Sequence, residues 1–252
     1  MAKEDTKDTF KNKIATNNSG CCCENKNFSE NYENVKSYEP IANLGLGCGI
    51  PTDFANIKKG DTVFDLGSGA GNDCFVVRRI VGDSGRVIGV DCAKEMIGLS
   101  RQNCGNLGYN NVVFVLAEIE KLPFADNAAD VVISNCVMNL VPDKKKAYSE
   151  IFRVLKPGGH FSISDIIIYG ELPEKIRNAT SKNTACIGGA MSKDEYLQVV
   201  ENAGFKNIQI QKERTVNIDD GELLLYVSYE NLEEFHSSGA GIGSINIYAE
   251  KL

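Results

Sequence analysis

Thr62-Val63-Phe64-Asp65-Leu66-Gly67-Ser68-Gly69-Ala70-Gly71-Asn72-Asp73-Cys74 is a short apolar run that ends in a glycine loop and leads into a helix. Residues 62–66 suit burial on both faces and read as a strand of a parallel sheet. The loop glycines let the backbone turn tightly and approach a ligand. A second strand, Arg86–Val90, ends at Asp91, 20 residues after Gly71. A glycine loop after one strand and an acid at the end of the next are the parts that hold an adenosine-containing ligand.

The pattern continues on both sides of these strands. Lys94 to about Leu107 reads as a helix, with Met96, Ser100, Cys104 and Leu107 at helical spacing. Asn111–Leu116 and Ala129–Ser134 read as two further strands. Pro142 at a first turn predicts a helix over Asp143–Leu155, stopped by Lys156-Pro157-Gly158-Gly159. His160–Ile168 reads as a fifth strand. Ser192 with Glu195 three residues on predicts a capped helix that ends at Gly204. Asn207–Gln211 and Ser244–Ala249 alternate in the manner of antiparallel edge strands. Together these predict an α/β, Rossmann-like sheet, mostly parallel with an antiparallel edge and helices on both faces. Residues 1–40 are polar and Asn-rich, and read as a mobile or loosely docked arm carrying Cys21, Cys22 and Cys23. Residues 41–252 read as one catalytic domain.

Charge and composition narrow the function. The 252 residues carry a net charge of −7 and no basic run, which argues against nucleic acid as a partner. No apolar stretch has the length of a membrane helix. The first twenty residues lack the apolar core of a signal peptide, so a cytoplasmic location is expected, where thiols stay reduced. The nine cysteines are then an oddity. Their odd number fits a disulfide framework poorly, and no Cys-x-x-Cys pair suggests zinc. A lone cysteine is usually a small buried apolar residue. Cys48, Cys92, Cys104 and Cys136 read that way, with Cys48 and Cys136 open to a supporting role beside a site. Three adjacent thiols in a polar segment do not fit a core, and suggest soft-metal or redox chemistry.

Three details select the ligand. The loop spacing is Gly-x-Gly-x-Gly. Asp65, two residues before the first glycine, would repel a pyrophosphate and favour the ammonium and sulfonium of S-adenosylmethionine. Glu118, after the third strand, can accept from an adenine amino group. S-Adenosylmethionine is the expected cofactor.

The chain from about Leu44 to Ile210 resembles class I methyltransferases and, more narrowly, the arsenite methyltransferases of the short bacterial and archaeal type. The resemblance rests on residues 65–74, on Ser134-Asn135-Cys136-Val137-Met138-Asn139-Leu140-Val141-Pro142-Asp143-Lys144, on Glu171-Leu172-Pro173-Glu174, and on Cys186-Ile187-Gly188-Gly189-Ala190. It implies that Asp65, Gly67, Ser68, Gly69, Asp91, Met96, Glu118, Ile119 and Asn135 hold the cofactor. It also implies that Cys74, Cys186 and an arm cysteine bind trivalent arsenic, with an arsenic-binding insert around 170–192. Cys22 represents the arm, and Cys21 or Cys23 could take its place. Cys74 falls in the first turn of a helix, where the dipole would favour its thiolate, and Cys186 falls in what reads as a loop near the site's mouth. Many family members carry a further cysteine well after the Cys186 position, and this chain has none.

The implied reaction is methyl transfer to thiol-bound arsenite or methylarsenite, a detoxification. A thiol reductant of the thioredoxin or glutathione kind would restore oxidised cysteines. Two rival readings share the fold: a methyltransferase for a small quinone-like or sterol-like metabolite, and a non-catalytic soft-metal binder.

Overall fold

The computed structural model describes residues 30–35, 38–183, 185–217, 220–224 and 227–252. Among the described residues, seven strands of four or more residues form the sheet: β1 Thr62–Leu66, β2 Arg86–Asp91, β3 Val112–Leu116, β4 Ala129–Asn135, β5 Leu155–Tyr169, β6 Lys206–Val216 and β7 Gly241–Glu250. Their order is β3-β2-β1-β4-β5-β7-β6. β1 to β5 run parallel, and β7 inserts antiparallel between β5 and the edge strand β6, with Ile163 opposite Ile247 and Ile247 opposite Ile210. A two-residue strand, Met191–Ser192, pairs with β5 at Ile167 and Ile168.

The longer helices are α1 Asn72–Val81, α2 Lys94–Leu107, α3 Lys144–Val154, α4 Glu174–Asn183, α5 Lys193–Asn202 and α6 Tyr229–Ser238. α3 shows how pattern becomes packing. Asp143 caps it by accepting from the Lys146 amide at 3.0 Å, so Pro142 lies outside the cap rather than in the first turn. Its buried face, Ala147, Tyr148, Ile151 and Val154, packs with Phe161 of β5 and with Phe205. Each such large apolar side chain stabilises the fold by roughly 1.5–3 kcal/mol. The helix stops at Val154, ahead of Lys156-Pro157-Gly158-Gly159 as expected, but the strand expected from His160 already begins at Leu155. β5 starts at Leu155 opposite Ala129, and a register shift before Val131 absorbs the glycines. The capping box of Ser192 and Glu195 opens α5 as expected.

Strand order reverses between β1 and β4, so the crevice beyond their C-terminal ends is the binding position of such a sheet. Residues 1–29, with Cys21, Cys22 and Cys23, lie outside the described residues. From residue 30 the chain belongs to the folded body: Tyr32, expected in the arm, is buried. No helix among the described residues is long and apolar enough to cross a membrane.

Candidate functional site

A cavity of about 460 Å³ opens at the C-terminal ends of β1, β2 and β4. Asp65, Gly67, Ser68, Gly69, Asp91, Met96, Glu118, Ile119 and Asn135 all stand in its wall. Backbone geometry places them. The amides of Gly67 and Ser68 donate to the Val90 carbonyl at 2.7 and 3.0 Å, tying the loop to β2. Gly69 N–H donates to Asp91 Oδ2 at 2.9 Å, and Ala93 N–H to Asp91 Oδ1 at 2.8 Å. With the Cys92 amide also bonded to this carboxylate, three of its about four lone-pair sites are taken and one is left for a ligand.

The floor of the cavity is acidic. Asp65 and Asp73 are both buried. Burial and the neighbouring Asp73 push the Asp65 carboxyl well above the usual range. Burial pushes Asp73 up to about 6, against hydrogen bonds from Tyr32 and Asn135 that act the other way. Tyr32 Oη donates to Asp73 Oδ1 at 2.8 Å, and Asn135 Nδ2 donates to Tyr32 Oη at 2.8 Å and Asp73 Oδ2 at 3.2 Å. Two buried acids facing one cavity repel each other, and a cationic ligand relieves both. Ser68 Oγ and Asn72 Oδ1, also in the wall, are buried without a hydrogen-bond partner, which costs about 1–3 kcal/mol each until a ligand answers them. Orphaned polar atoms, an acidic floor and an acid at the end of β2 fit a cationic nucleoside.

A cluster of sulfurs adjoins this cavity. Cys48 Sγ, Cys136 Sγ and a carboxylate oxygen of Asp165 lie within 4.8 Å of one another, and all three residues are buried. Cys186 Sγ stands 3.4 Å from Cys136 Sγ and 3.3 Å from the Cys136 carbonyl oxygen. The chain delivers each sulfur by a local constraint. Cys136 has φ +60, a left-handed turn directly after β4, with its amide bonded to the Ser164 carbonyl at 2.8 Å. Cys48 is fixed by its own amide on Asn135 Oδ1 at 3.0 Å and by Ser244 Oγ, which donates to its carbonyl at 2.6 Å. A side chain at Gly47 or Gly49 would collide with Asn135 or Ser164, so Cys48 needs a glycine on either side. Cys136 also stands in the cavity wall and joins the two halves of the site.

Residues 57–204 match the family model described as a methyltransferase domain. A solved structure, an arsenic (III) S-adenosylmethionine methyltransferase from Chlamydomonas reinhardtii, is similar at TM-score 0.70 and 32% identity, covering 82% of this chain and 68% of that one. The chain belongs to the arsenite methyltransferase family. The arsenite methyltransferase of Halobacterium salinarum is 41% identical over 197 residues, 76% of this chain and 50% of that protein. The human arsenite methyltransferase is 35% identical over 209 residues, 79% of this chain and 54% of that protein. The chain spans about half the length of the curated relatives it matches.

Within this arsenite methyltransferase fold the expected cysteines stand in two different surroundings. Cys74 is wholly buried in a separate apolar cluster with Phe75 and Val77. Its Sγ donates to Asp65 Oδ2 at 3.1 Å. Burial and that carboxylate push its pKa up, the opposite of the expected thiolate. A helix terminus supplies up to about 2 kcal/mol toward an anion, too little to hold a buried one beside a carboxylate. Cys186 is buried in a helical turn, Ala185–Gly188, rather than carried on a loop. Cys48 and Cys136, expected to pack or to support a site, sit with Cys186 in one cluster. Three sulfurs thus gather without any cysteine after position 186.

We expect Cys74→Ser to keep the rate of arsenic methylation within about threefold of wild type, since its sulfur lies apart from the Cys48–Cys136–Cys186 cluster, while costing about 1–2 kcal/mol of stability through poorer packing. Initial rates and thermal melts check this. A rate loss as deep as that of a Cys136 variant would return Cys74 to the site.

Proposed function

We propose that the protein transfers a methyl group from S-adenosylmethionine to trivalent arsenic held by Cys48, Cys136 and Cys186. The reading is carried by one observation: three buried sulfurs gather against a cavity suited to a cationic nucleoside, and Cys136 belongs to both. When bound, S-adenosylmethionine supplies an electrophilic methyl group. Asp91 and Glu118 are placed to take its hydroxyl and amino groups, and Asp65, Asp73 and Ser68 its charged end.

The thiols do the substrate chemistry. Trivalent arsenic is soft and prefers thiolates, an extension of the softness rule to this element. Each thiol displaces a hydroxyl of arsenite, and the thiol proton leaves in the departing water. The arsenic keeps its lone pair as nucleophile and carries no proton, so no general base is required. Cysteine geometry supplies proximity, and the apolar residues around the cluster exclude water. Methylation formally oxidises arsenic from the trivalent to the pentavalent state. Two thiolates leaving as a disulfide return two electrons to it, and Cys136 and Cys186 are close enough to become that disulfide. A thioredoxin or glutathione reductant then restores the thiols. One of Cys21, Cys22 and Cys23 would serve as a further sulfur or as an exchange partner in this cycle.

The test is direct. Reduced protein, arsenite and S-adenosylmethionine are incubated with a thiol, and the arsenicals are separated. Methylated arsenic is the expected product, and its absence under reducing conditions sinks the reading.

Binding of the cofactor should depend on pH. Ionised Asp73 favours a cation, and the site holds its carboxyl at about 6. Affinity for S-adenosylmethionine should therefore rise as pH climbs from 5 through 6, by up to about tenfold per unit, because binding to the protonated acid must release a proton. Asp73→Asn should flatten that part of the profile. Calorimetric titrations between pH 5 and 7.5 check it, and a flat wild-type profile contradicts it.

A further inference from the structure

Arsenic needs only sulfur, yet the thiol cluster includes an oxygen. We propose that Cys48, Cys136, Cys186 and Asp165 form a zinc-class divalent cation site that competes with arsenic for the same sulfurs. This goes beyond arsenic methylation, and it stands on the placement of four side chains rather than on turnover.

The donor set is the first reason. Borderline cations such as zinc take thiolate and carboxylate together in a tetrahedron. With metal–sulfur bonds of about 2.3 Å, such a tetrahedron has sulfur–sulfur edges of about 3.8 Å. Cys48 Sγ, Cys136 Sγ and the Asp165 oxygen already lie within 4.8 Å of each other, and Cys186 Sγ is 3.4 Å from Cys136 Sγ. Cys48, Cys136 and Asp165 supply three corners of this shape, and Cys186, adjacent to Cys136 but outside that 4.8 Å set, supplies the fourth by a shift of its side chain.

The surroundings of Asp165 are the second reason. Its Oδ1 accepts from Asn139 Nδ2 and from the Ile166 amide, both at 2.9 Å. Its Oδ2 accepts from Tyr196 Oη at 3.2 Å, and Tyr148 Oη donates to Tyr196 Oη at 2.8 Å. Three hydrogen bonds occupy three of about four lone-pair sites and lock the carboxylate, the outer-shell support that metal-binding carboxylates use. Lys144 adds a positive charge felt by Asp165. Three thiolates and one carboxylate around a dication carry the same formal charge as a four-cysteine zinc site. As zinc–sulfur bonds replace zinc–water bonds, the three thiol protons pass to solvent.

The experiment titrates zinc chloride into the reduced, full-length protein against a chromogenic zinc chelator. Arsenite binding is measured separately on the same variants without zinc. One equivalent of zinc should bind per chain and survive Cys21→Ser/Cys22→Ser/Cys23→Ser replacement. Asp165→Asn should weaken zinc at least tenfold while leaving arsenite binding within about threefold, the size expected when one of four ligands is lost and the sulfurs remain. Cys48→Ser should weaken both. Cobalt(II) should give thiolate charge-transfer and tetrahedral absorption bands that Cys136→Ser removes. Where Asp165→Asn fails to fold, Tyr196→Phe decides, with zinc weakened at least threefold and arsenite unchanged. No stoichiometric zinc, zinc lost with the arm cysteines, or zinc indifferent to Asp165 and Tyr196 overturns the proposal. None of these results touches the arsenic reading, which fails only on arsenite binding or methylation.

Discussion

Replacing Cys136 by serine is expected to lower arsenic methylation at least about 100-fold while S-adenosylmethionine binding stays within about threefold, a larger loss than removal of a ligand's supporting partner brings. Cys136 is the sulfur that links the other thiols to the cavity. Its Sγ is 3.4 Å from Cys186 Sγ, within 4.8 Å of Cys48 Sγ, and its residue stands in the cavity wall. Serine keeps the volume and the left-handed turn but offers a hard oxygen in place of a soft sulfur. The methyl donor's contacts lie on Asp65, Asp91 and Glu118 and should survive. Initial rates with arsenite and calorimetry with the cofactor separate the two effects. Full activity in Cys136→Ser would show that arsenic is held elsewhere. Loss of cofactor binding alongside activity would show that the cavity itself had collapsed.

The β1–loop–α1 unit was legible because its signals are local. An apolar run, glycines and an acid at fixed spacing each state a backbone requirement, and they agree. The nine residues expected at the cofactor stand around one cavity, but only Asp65, Gly67, Ser68 and Gly69 belong to that unit; Asp91 and Glu118 were legible from their places after strands, and Met96, Ile119 and Asn135 came with the family resemblance. The thiol cluster was not legible, because its members are 88 and 50 residues apart along the chain. Nothing local links Cys48, Cys136 and Cys186. What brings them together is a left-handed turn after β4, a glycine-flanked backbone pinned by Asn135, and the seating of the 185–188 turn against Cys136. A usable clue did exist. Cys136 directly follows a central strand on the binding side of the sheet, where residues more often act than pack. Cys74 misled because the helix dipole was weighed without the buried Asp65 beside it. α4 and α6 were missed because their apolar spacing is thin: α6 buries only Leu232 among its described residues.

Gly67→Ala is expected to destabilise the protein by about 2–5 kcal/mol, the sum of left-handed backbone strain and overpacking, and to weaken S-adenosylmethionine at least about 100-fold. Gly67 sits at φ +76, where a side chain costs about 1–2 kcal/mol. A Cβ there would lie 2.3 Å from a γ-methyl of Val137, immediately after Cys136. Val137 cannot retreat without dragging the turn that aims Cys136, so the clash reaches both the nucleoside cavity and the thiols. The two costs can be separated. Adding Val137→Ala to Gly67→Ala removes both γ-methyls and should recover about 1–2 kcal/mol, leaving the backbone strain in place. Denaturant melts of the four proteins of this cycle measure the coupling. Strict additivity would mean that Val137 does not press on the loop. A neutral Gly67→Ala would mean that the loop has another way to turn, and with it that the cavity's glycine-lined edge is not what admits the cofactor.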